Sequence, residues 1–447
     1  MNKQKRNKSE ENGDGKVIDA EERLKGAKKR KLIKYGKKSS ITKARALYES
    51  AFQHWLYPKQ ESDYEVKVKT LLRKCIKVLE EDLDGIESEE DQQAKMSLHT
   101  QTSDALTLYS IQRTKYKPKE VRGLLAENGY VARLSKDVLR YELPSKGSEV
   151  DADIQNIPAD ITTCPCRAYD GALSQEDLQI LMNALCPLNA SYWKDHSYCV
   201  YPPTPYFSYV FDLKEKTLKN LGALGNHVKN VQRLSSELID STDDGEVPKY
   251  AEIWAHHRPH CSGHQLHFDS DNEGRGEVKH PLVSSIIYLS DEGCGGPSLI
   301  TDQRLGDTQL AQNGWLTHPK KNRLVLFDGS VLHGVIPGRG YVGGRHRVTL
   351  MVALWKDIRI RKGDEPGAAR PLPNISPGKN AGTVPQWFTN LTRGDKKEGA
   401  GSSKAKKQEN SPKKIEPIPL DCVFSTISGK KIKEGRLPAY DTVFQGF

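Results

Sequence analysis

No stretch of this chain approaches the length of apolar sequence that a membrane-spanning helix needs. Its first residues, MNKQKRNKSE, lack the apolar core of a secretory signal. The eight cysteines are scattered rather than set in spaced pairs, which argues against a disulfide scaffold and suits reduced thiols. Only Cys164-Pro-Cys166 is close-set, and it has no second pair with which to build a structural zinc site. These absences predict a soluble protein of the cytoplasm or the nucleus, with no membrane partner.

At 447 residues the chain is long enough for two or three domains with a large core, which permits an enzyme. The formal net charge of +10 makes an acidic partner plausible, whether nucleic acid or an acidic protein. Much of the surplus lies in two lysine-dense stretches, KGAKKRKLIKYGKK from Lys25 to Lys38 and the segment from Lys396 to Lys414. Both read as solvated arms. A sharper reading gives Lys28 to Lys31 a nuclear-localisation or nucleic-acid-binding role.

Texture divides the chain into four parts. Residues 1–39 are polar and charge-blocked, as expected of a disordered basic arm. From Ile41 the pattern changes: Ile41, Ala44, Tyr48, Ala51, Phe52 and Trp55 recur at helical steps, and so do Val68, Leu71, Leu72, Cys75, Ile76 and Leu79. A third helix is expected around Leu98 to Ile111, so residues 40–143 read as a small helical domain. Residues 160–360 are different. Ser174 stands as an N-cap for a helix beginning near Gln175, with Asp177 at the capping-box distance. After it come short β-branched or aromatic runs: YAEIWAH, HQLHFD, SSIIYLS, PSLIT, RLVLF, VLHGVI and RVTLMVALW. Seven or eight such strands separated by turn residues predict a β-sandwich or barrel. The fold class is therefore α+β. Residues 361–447, rich in Pro, Gly, Ser and Lys, are expected to be largely disordered, with a short hairpin possible at LDCVFSTISGKKI.

The chemistry is concentrated in HQLHFDSDNE, residues 264 to 273. In a strand, Gln265, His267 and Asp269 share one face while Leu266 and Phe268 share the other. A histidine and a carboxylate then converge on one cavity, which is two-thirds of the facial triad that holds non-haem Fe(II) with open positions beside it. The third ligand should be a downstream histidine on another strand, and His333 in FDGSVLHGVIPG fits. If a chelating keto acid such as 2-oxoglutarate fills two open positions, its remote carboxylate needs a cation. Arginine suits that task, because its planar fork stays charged when buried. Arg347 and Thr349 lie two apart on one face of RHRVTLMVALW, with Arg345 as the alternative cation.

His267-x-Asp269, His333 and Arg347-x-Thr349, with Tyr288-Leu289, Gly295-Gly296 and RLVLFDG in the same order, resemble the iron(II)/2-oxoglutarate dioxygenases. The resemblance is to the prolyl-4-hydroxylase-like branch and covers roughly residues 165 to 358. It implies a double-stranded β-helix, or jelly roll, with His267, Asp269 and His333 as metal ligands and catalytic centre and Arg347 and Thr349 on the cosubstrate. It further implies oxidative decarboxylation of 2-oxoglutarate to succinate and carbon dioxide coupled to hydroxylation, with ascorbate a candidate for keeping the iron reduced. Where the family often has a tyrosine that touches 2-oxoglutarate, this chain offers Trp254 or His256.

A protein side chain is the leading substrate class, because that branch modifies peptidyl residues and the helices offer a docking surface. An AlkB-like nucleic-acid demethylase is the alternative, encouraged by the basic tails and by Asp271, although EIWAHH stands where Asn-x-Tyr is expected. A Jumonji-type demethylase fits less well, since it usually grips 2-oxoglutarate with lysine. A non-catalytic jelly-roll scaffold is the reading from a different class. His256, His257, His260 and His264 lack zinc-site spacing and are expected to form a loop lip leading to the metal strand. Asp271 is expected either to brace Arg345 or Arg347 or to be solvated.

Overall fold

The computed structural model describes residues 40–57, 64–81, 88–113, 125–126, 130–143, 164–198, 200, 207–239, 247–271, 277–339, 342, 344–361, 369–373, 383–393, 411–427 and 443–444. The basic arm, residues 1–39, and the lysines of residues 396–410 lie outside these.

Three helices, Ser40–Leu56, Tyr64–Glu81 and Glu89–Arg113, open the described chain where the periodicity places them. The second buries Val68, Leu72, Cys75 and Leu79, and the third buries Leu98, Thr102, Ala105 and Tyr109, so both pack by alternating four- and three-residue steps. A single core joins Ala51, Trp55, Val68, Leu72 and Tyr109 to Leu266, Leu299, Leu316, Leu332 and Ile336, which come from strands of the β-structure. The helices therefore cover a sheet face. They also share a small cluster of their own, Ala44, Cys75, Leu79 and Leu98, and the segment after them is a strand, β1 (Ala132–Leu134), followed by a short turn of helix.

The β-structure has strands β2 (Cys166–Asp170), β3 (Tyr209–Asp212), β4 (Tyr250–Pro259), β5 (His264–His267), β6 (Val283–Tyr288), β7 (Ser298–Arg304), β8 (Gly314–Thr317), β9 (Arg323–Asp328), β10 (Val331–Val335) and β11 (His346–Trp355). From β4 to β11 the chain passes back and forth between two sheets, except that β7 and β8 form a hairpin within one of them. One sheet runs β3-β4-β11-β6-β9-β2, and the other runs β8-β7-β10-β5. That winding is a jelly roll, closed so that few strand edges remain exposed.

β11 shows why the sequence folds this way. It pairs with β4 over its whole length, from His346 opposite Pro259 to Trp355 opposite Tyr250, and with β6 on its other side. Its side chains at Val348, Leu350, Val352 and Leu354 join the core under a helical layer that includes Leu181, Leu224 and Phe388. Those at Arg347, Thr349 and Met351 face the cavity between the sheets. A strand buried on both faces reads as a nearly continuous apolar run, which is what VTLMVALW is. The helix Gln175–Leu185 in that covering layer begins at Ser174, whose hydroxyl accepts from the Asp177 amide at 3.1 Å.

After residue 360, where a largely disordered tail is expected, the described residues form several ordered pieces. β12 (Arg370–Pro371) pairs with β3, and the helix Gln386–Arg393 buries Trp387, Phe388 and Leu391 in the covering layer. Strands β13 (Lys413–Ile415) and β14 (Ile418–Leu420) pair with β2 and β8, so consecutive strands reach the free edges of both sheets. Then β15 (Phe424–Thr426) and β16 (Val443–Phe444) flank β1. Of the expected hairpin at LDCVFSTISGKKI, the first half forms β15, and residues 428–432 lie outside the described residues. Composition misled here because each anchor is only one to three apolar residues long. The backbone partners come from sheet edges that tail composition cannot reveal.

Candidate metal centre

β5 and β10 are neighbours, and their antiparallel register sets His267 directly opposite His333. Their ring centroids are 4.3 Å apart. Asp269, two residues beyond His267, brings its Oδ1 to 3.6 Å from Nε2 of both histidines. The three side chains thus offer one ligand atom each within 4.8 Å of one another, and they are the one such cluster of three or more among the described residues.

Neighbouring groups orient all three. Nδ1 of His267 lies 2.8 Å from the Gln265 carbonyl, and Nδ1 of His333 lies 3.0 Å from the Val331 carbonyl. A carbonyl only accepts, so the ring proton belongs on Nδ1 and the Nε2 lone pair points into the cavity. The Ser284 hydroxyl donates to Asp269 Oδ2 at 2.6 Å, which leaves Oδ1 facing the imidazoles. Burial works to raise the Asp269 pKa, but His333, His267 and Ser284 outweigh it and hold the carboxyl well below the usual range. Burial lowers His333 to about 4, so its imidazole is neutral at ordinary pH. Two imidazole nitrogens and one carboxylate oxygen form a donor set suited to a divalent first-row metal, and fixed outer partners are what such ligands require.

The cavity around them opens to solvent. Phe327 packs on His333 at 4.6 Å between ring centroids. On the opposite wall stand Arg347 and Thr349, both 2% exposed and on the same face of β11. Among the described residues no carboxylate pairs with Arg347. Burial lowers its guanidinium to about 10, still charged at neutral pH. A buried cation without a counter-charge is costly, so the wall is built for an anionic ligand. Gly295 makes room for the arginine: with φ +93, it lies so close to the Arg347 stem that an added Cβ would sit 2.6 Å from Cδ. The Tyr288 phenol lies buried opposite Thr349 in register and adds a favourable field at Arg347.

Arg345 is placed elsewhere. It precedes β11, is exposed, and donates from Nε to the Val342 carbonyl at 3.0 Å. Asp271 braces neither candidate arginine and is not solvated. Its buried carboxylate meets Arg359 Nε at 3.4 Å. The four clustered histidines also differ from a loop lip. His256, on β4, and His264, on β5, line the cavity, and His264 stacks on His267 at 4.5 Å. Trp254 lines it as well, so both candidates for the missing tyrosine face inward. His257 turns to the outer face of the sheet. His260 accepts from the Gly295 amide at 2.8 Å and faces the Arg339 carbonyl through Nε2 at 2.9 Å. It therefore fixes the loop that lies over Arg347. Ser284, Phe327 and His264 are site residues that the sequence reading missed. Ser284 carried a faint signal, one of two adjacent hydroxyls in the strand VSSIIY.

No family model matches this sequence, and no curated protein matches it. Among solved structures, the chain is similar to a Pseudomonas putida prolyl-4-hydroxylase at 17% identity, covering 46% of this chain and 91% of that one, with a TM-score of 0.27. It is similar to AviO1 from Streptomyces viridochromogenes at 13% identity, covering 48% and 98%, with a TM-score of 0.30. A third is HygX from Streptomyces hygroscopicus with iron bound, at 11% identity, covering 47% and 92%, with a TM-score of 0.26.

Proposed function

We propose that this protein is an iron(II)- and 2-oxoglutarate-dependent dioxygenase that hydroxylates a protein side chain. The observation that carries the reading is the pairing, within one cavity, of a His-Asp-His donor set with a buried arginine that has no carboxylate partner among the described residues. In this reading His267, Asp269 and His333 hold Fe(II), while Arg347 and Thr349 hold the remote carboxylate of 2-oxoglutarate. Bound there, iron would supply the oxidising chemistry with dioxygen as oxidant: one oxygen atom would end in succinate as 2-oxoglutarate loses carbon dioxide, and the other in the hydroxyl formed at a substrate C–H bond. The chain's part is to orient and to exclude water. Arg347 binds through its fork, Thr349 adds a hydroxyl, and the inward apolar side chains Ile286, Phe327 and Met351 line the cavity beside them.

The sequence resemblance to the prolyl-4-hydroxylase-like branch favours a peptidyl substrate. A docking role for the first helices has lost part of its basis, because their apolar faces are occupied by the sheet. The nucleic-acid demethylase reading has lost the support of Asp271, which is engaged by Arg359. The experiment is turnover by the full-length protein with Fe(II), 2-oxoglutarate and ascorbate, offered cell-extract proteins in one arm and methylated oligonucleotides in the other. Succinate formation with oxygen gained by a peptide supports the proposal. Demethylated oligonucleotide with no oxygenated peptide would replace it with the nucleic-acid reading, and no succinate in either arm would favour a scaffold.

A further inference from the structure

Outside the metal centre, the described chain holds one close pair of sulfur atoms. Cys164 Sγ lies 3.6 Å from Cys166 Sγ. Cys166 is buried as the first residue of β2, whereas Cys164 precedes the strand, is partly exposed, and is held by no strand pairing. A disulfide needs the sulfurs at about 2.05 Å. The remaining approach falls on the residue that is free of the ladder. The other described cysteines differ: Cys75, Cys261 and Cys294 are buried, and exposed Cys422 has its thiol against the Phe424 carbonyl.

We propose that Cys164 and Cys166 are a redox modification site, oxidised by peroxide to a reversible intrachain disulfide. This goes beyond the dioxygenase reading and does not depend on it. The Cys164 thiolate attacks one peroxide oxygen, giving a sulfenic acid as the O–O bond breaks and the other oxygen leaves as hydroxide, which takes a proton from solvent to become water. The Cys166 thiol then attacks the sulfenic sulfur, and a second water leaves. The two sulfurs lose two electrons in all, and the peroxide gains them.

The surroundings divide the roles. The adjacent Cys166 thiol, with help from the Arg167 charge, outweighs burial and lowers Cys164 to about 7, so a large share is thiolate near neutral pH. The same contact and burial push Cys166 up. Burial raises Cys186 to about 12 and Cys294 to about 11, which leaves them poor nucleophiles. Arg167 also donates to the carbonyls of both Cys164 and Cys166 at 2.8 Å, fixing the backbone between the sulfurs. The site adjoins the cavity wall: Cys166 pairs with Phe327, the residue that packs on His333.

The test uses the full chain, reduced, freed of reductant and held with a chelator so that bound iron takes no part. It is titrated with hydrogen peroxide, denatured, alkylated and digested with trypsin. The peptide ending at Arg167 should lose the mass of two hydrogens and resist alkylation until dithiothreitol is added, at a lower peroxide concentration than modifies Cys422. Cys166→Ser should convert the product to an oxygen adduct on Cys164, and Cys164→Ser should leave Cys166 open to alkylation. The proposal is overturned if the wild-type peptide still takes up two alkyl groups once Cys422 is oxidised. It is equally overturned if Cys164 gains oxygen while Cys166 stays free.

Discussion

His267 and His333 sit with ring centroids 4.3 Å apart, and His257 and His346 with theirs 4.6 Å apart. In the first pair both Nδ1 atoms face backbone carbonyls and both Nε2 atoms face one oxygen of Asp269. The second pair, on β4 and β11, points Nδ1 at Nδ1 across 3.1 Å, and no carboxylate completes a ligand cluster there among the described residues. Proximity is common to both. What separates them is strand parity. His256 faces the cavity and its neighbour His257 faces the helical layer, where Trp193 packs on its ring at 5.3 Å. A metal centre needs the inner face, an orienting acceptor behind each ring, and an ionised carboxylate between them.

Substitutions should widen that contrast. Asp269→Ala removes the only anionic ligand and is expected to lower Fe(II) affinity by at least about 100-fold in anaerobic titration, whereas His346→Phe should leave it within about 2-fold. Measurable weakening by His346→Phe in a folded protein would break the distinction. Next in size, Arg347→Lys keeps a charge but loses the fork, so 2-oxoglutarate binding should weaken by about 1 to 3 kcal/mol while iron affinity barely moves. Calorimetry with metal-loaded protein reads this directly, and a larger loss from Arg345→Lys would move the cosubstrate to the other arginine. Ser284→Ala should lower metal affinity about 10-fold by freeing Asp269 Oδ2.

The smallest effect belongs to the outer pair and concerns stability. Burial lowers His257 to about 4 and, with His257 as neighbour, His346 to about 3. Both folded values lie below the unfolded value, so the unfolded chain takes up protons first as the pH falls. Stability is therefore full above about pH 6.5 and declines below it, by up to about 1.4 kcal/mol per pH unit for a buried histidine. Urea midpoints at pH 7 and pH 5.5 should differ less in His346→Phe than in the wild type. An unchanged difference would mean that other groups control the acid sensitivity.

Much of the site was legible because a strand of period two converts sequence spacing into facing. His267 with Asp269, and Arg347 with Thr349, follow from parity alone, and His333 follows from the need for a third ligand on a neighbouring strand. The fold class was legible for a related reason, since the runs from YAEIWAH to RVTLMVALW alternate or are continuously apolar according to the faces they bury. Less local facts were hidden. The partner of Asp271 is set by how Arg359, 88 positions downstream, crosses back over the site. The roles of His256 and His264 depended on whether HHRPHCSGH was loop or strand, and two strands with a tight turn between them settled it. The tail strands and the helix Gln386–Arg393 were invisible to composition, because a few residues such as Trp387 and Val423 do the anchoring.

The central claim is that His267, Asp269 and His333 bind iron in the same cavity where Arg347 binds 2-oxoglutarate. The most direct measurement is the visible absorption of the full-length protein with Fe(II) and 2-oxoglutarate under anaerobic conditions. A weak metal-to-ligand charge-transfer band should form in the wild type and in His346→Phe and be lost in Asp269→Ala. A band that persists unchanged in Asp269→Ala, or that never forms in the wild type, would contradict the account.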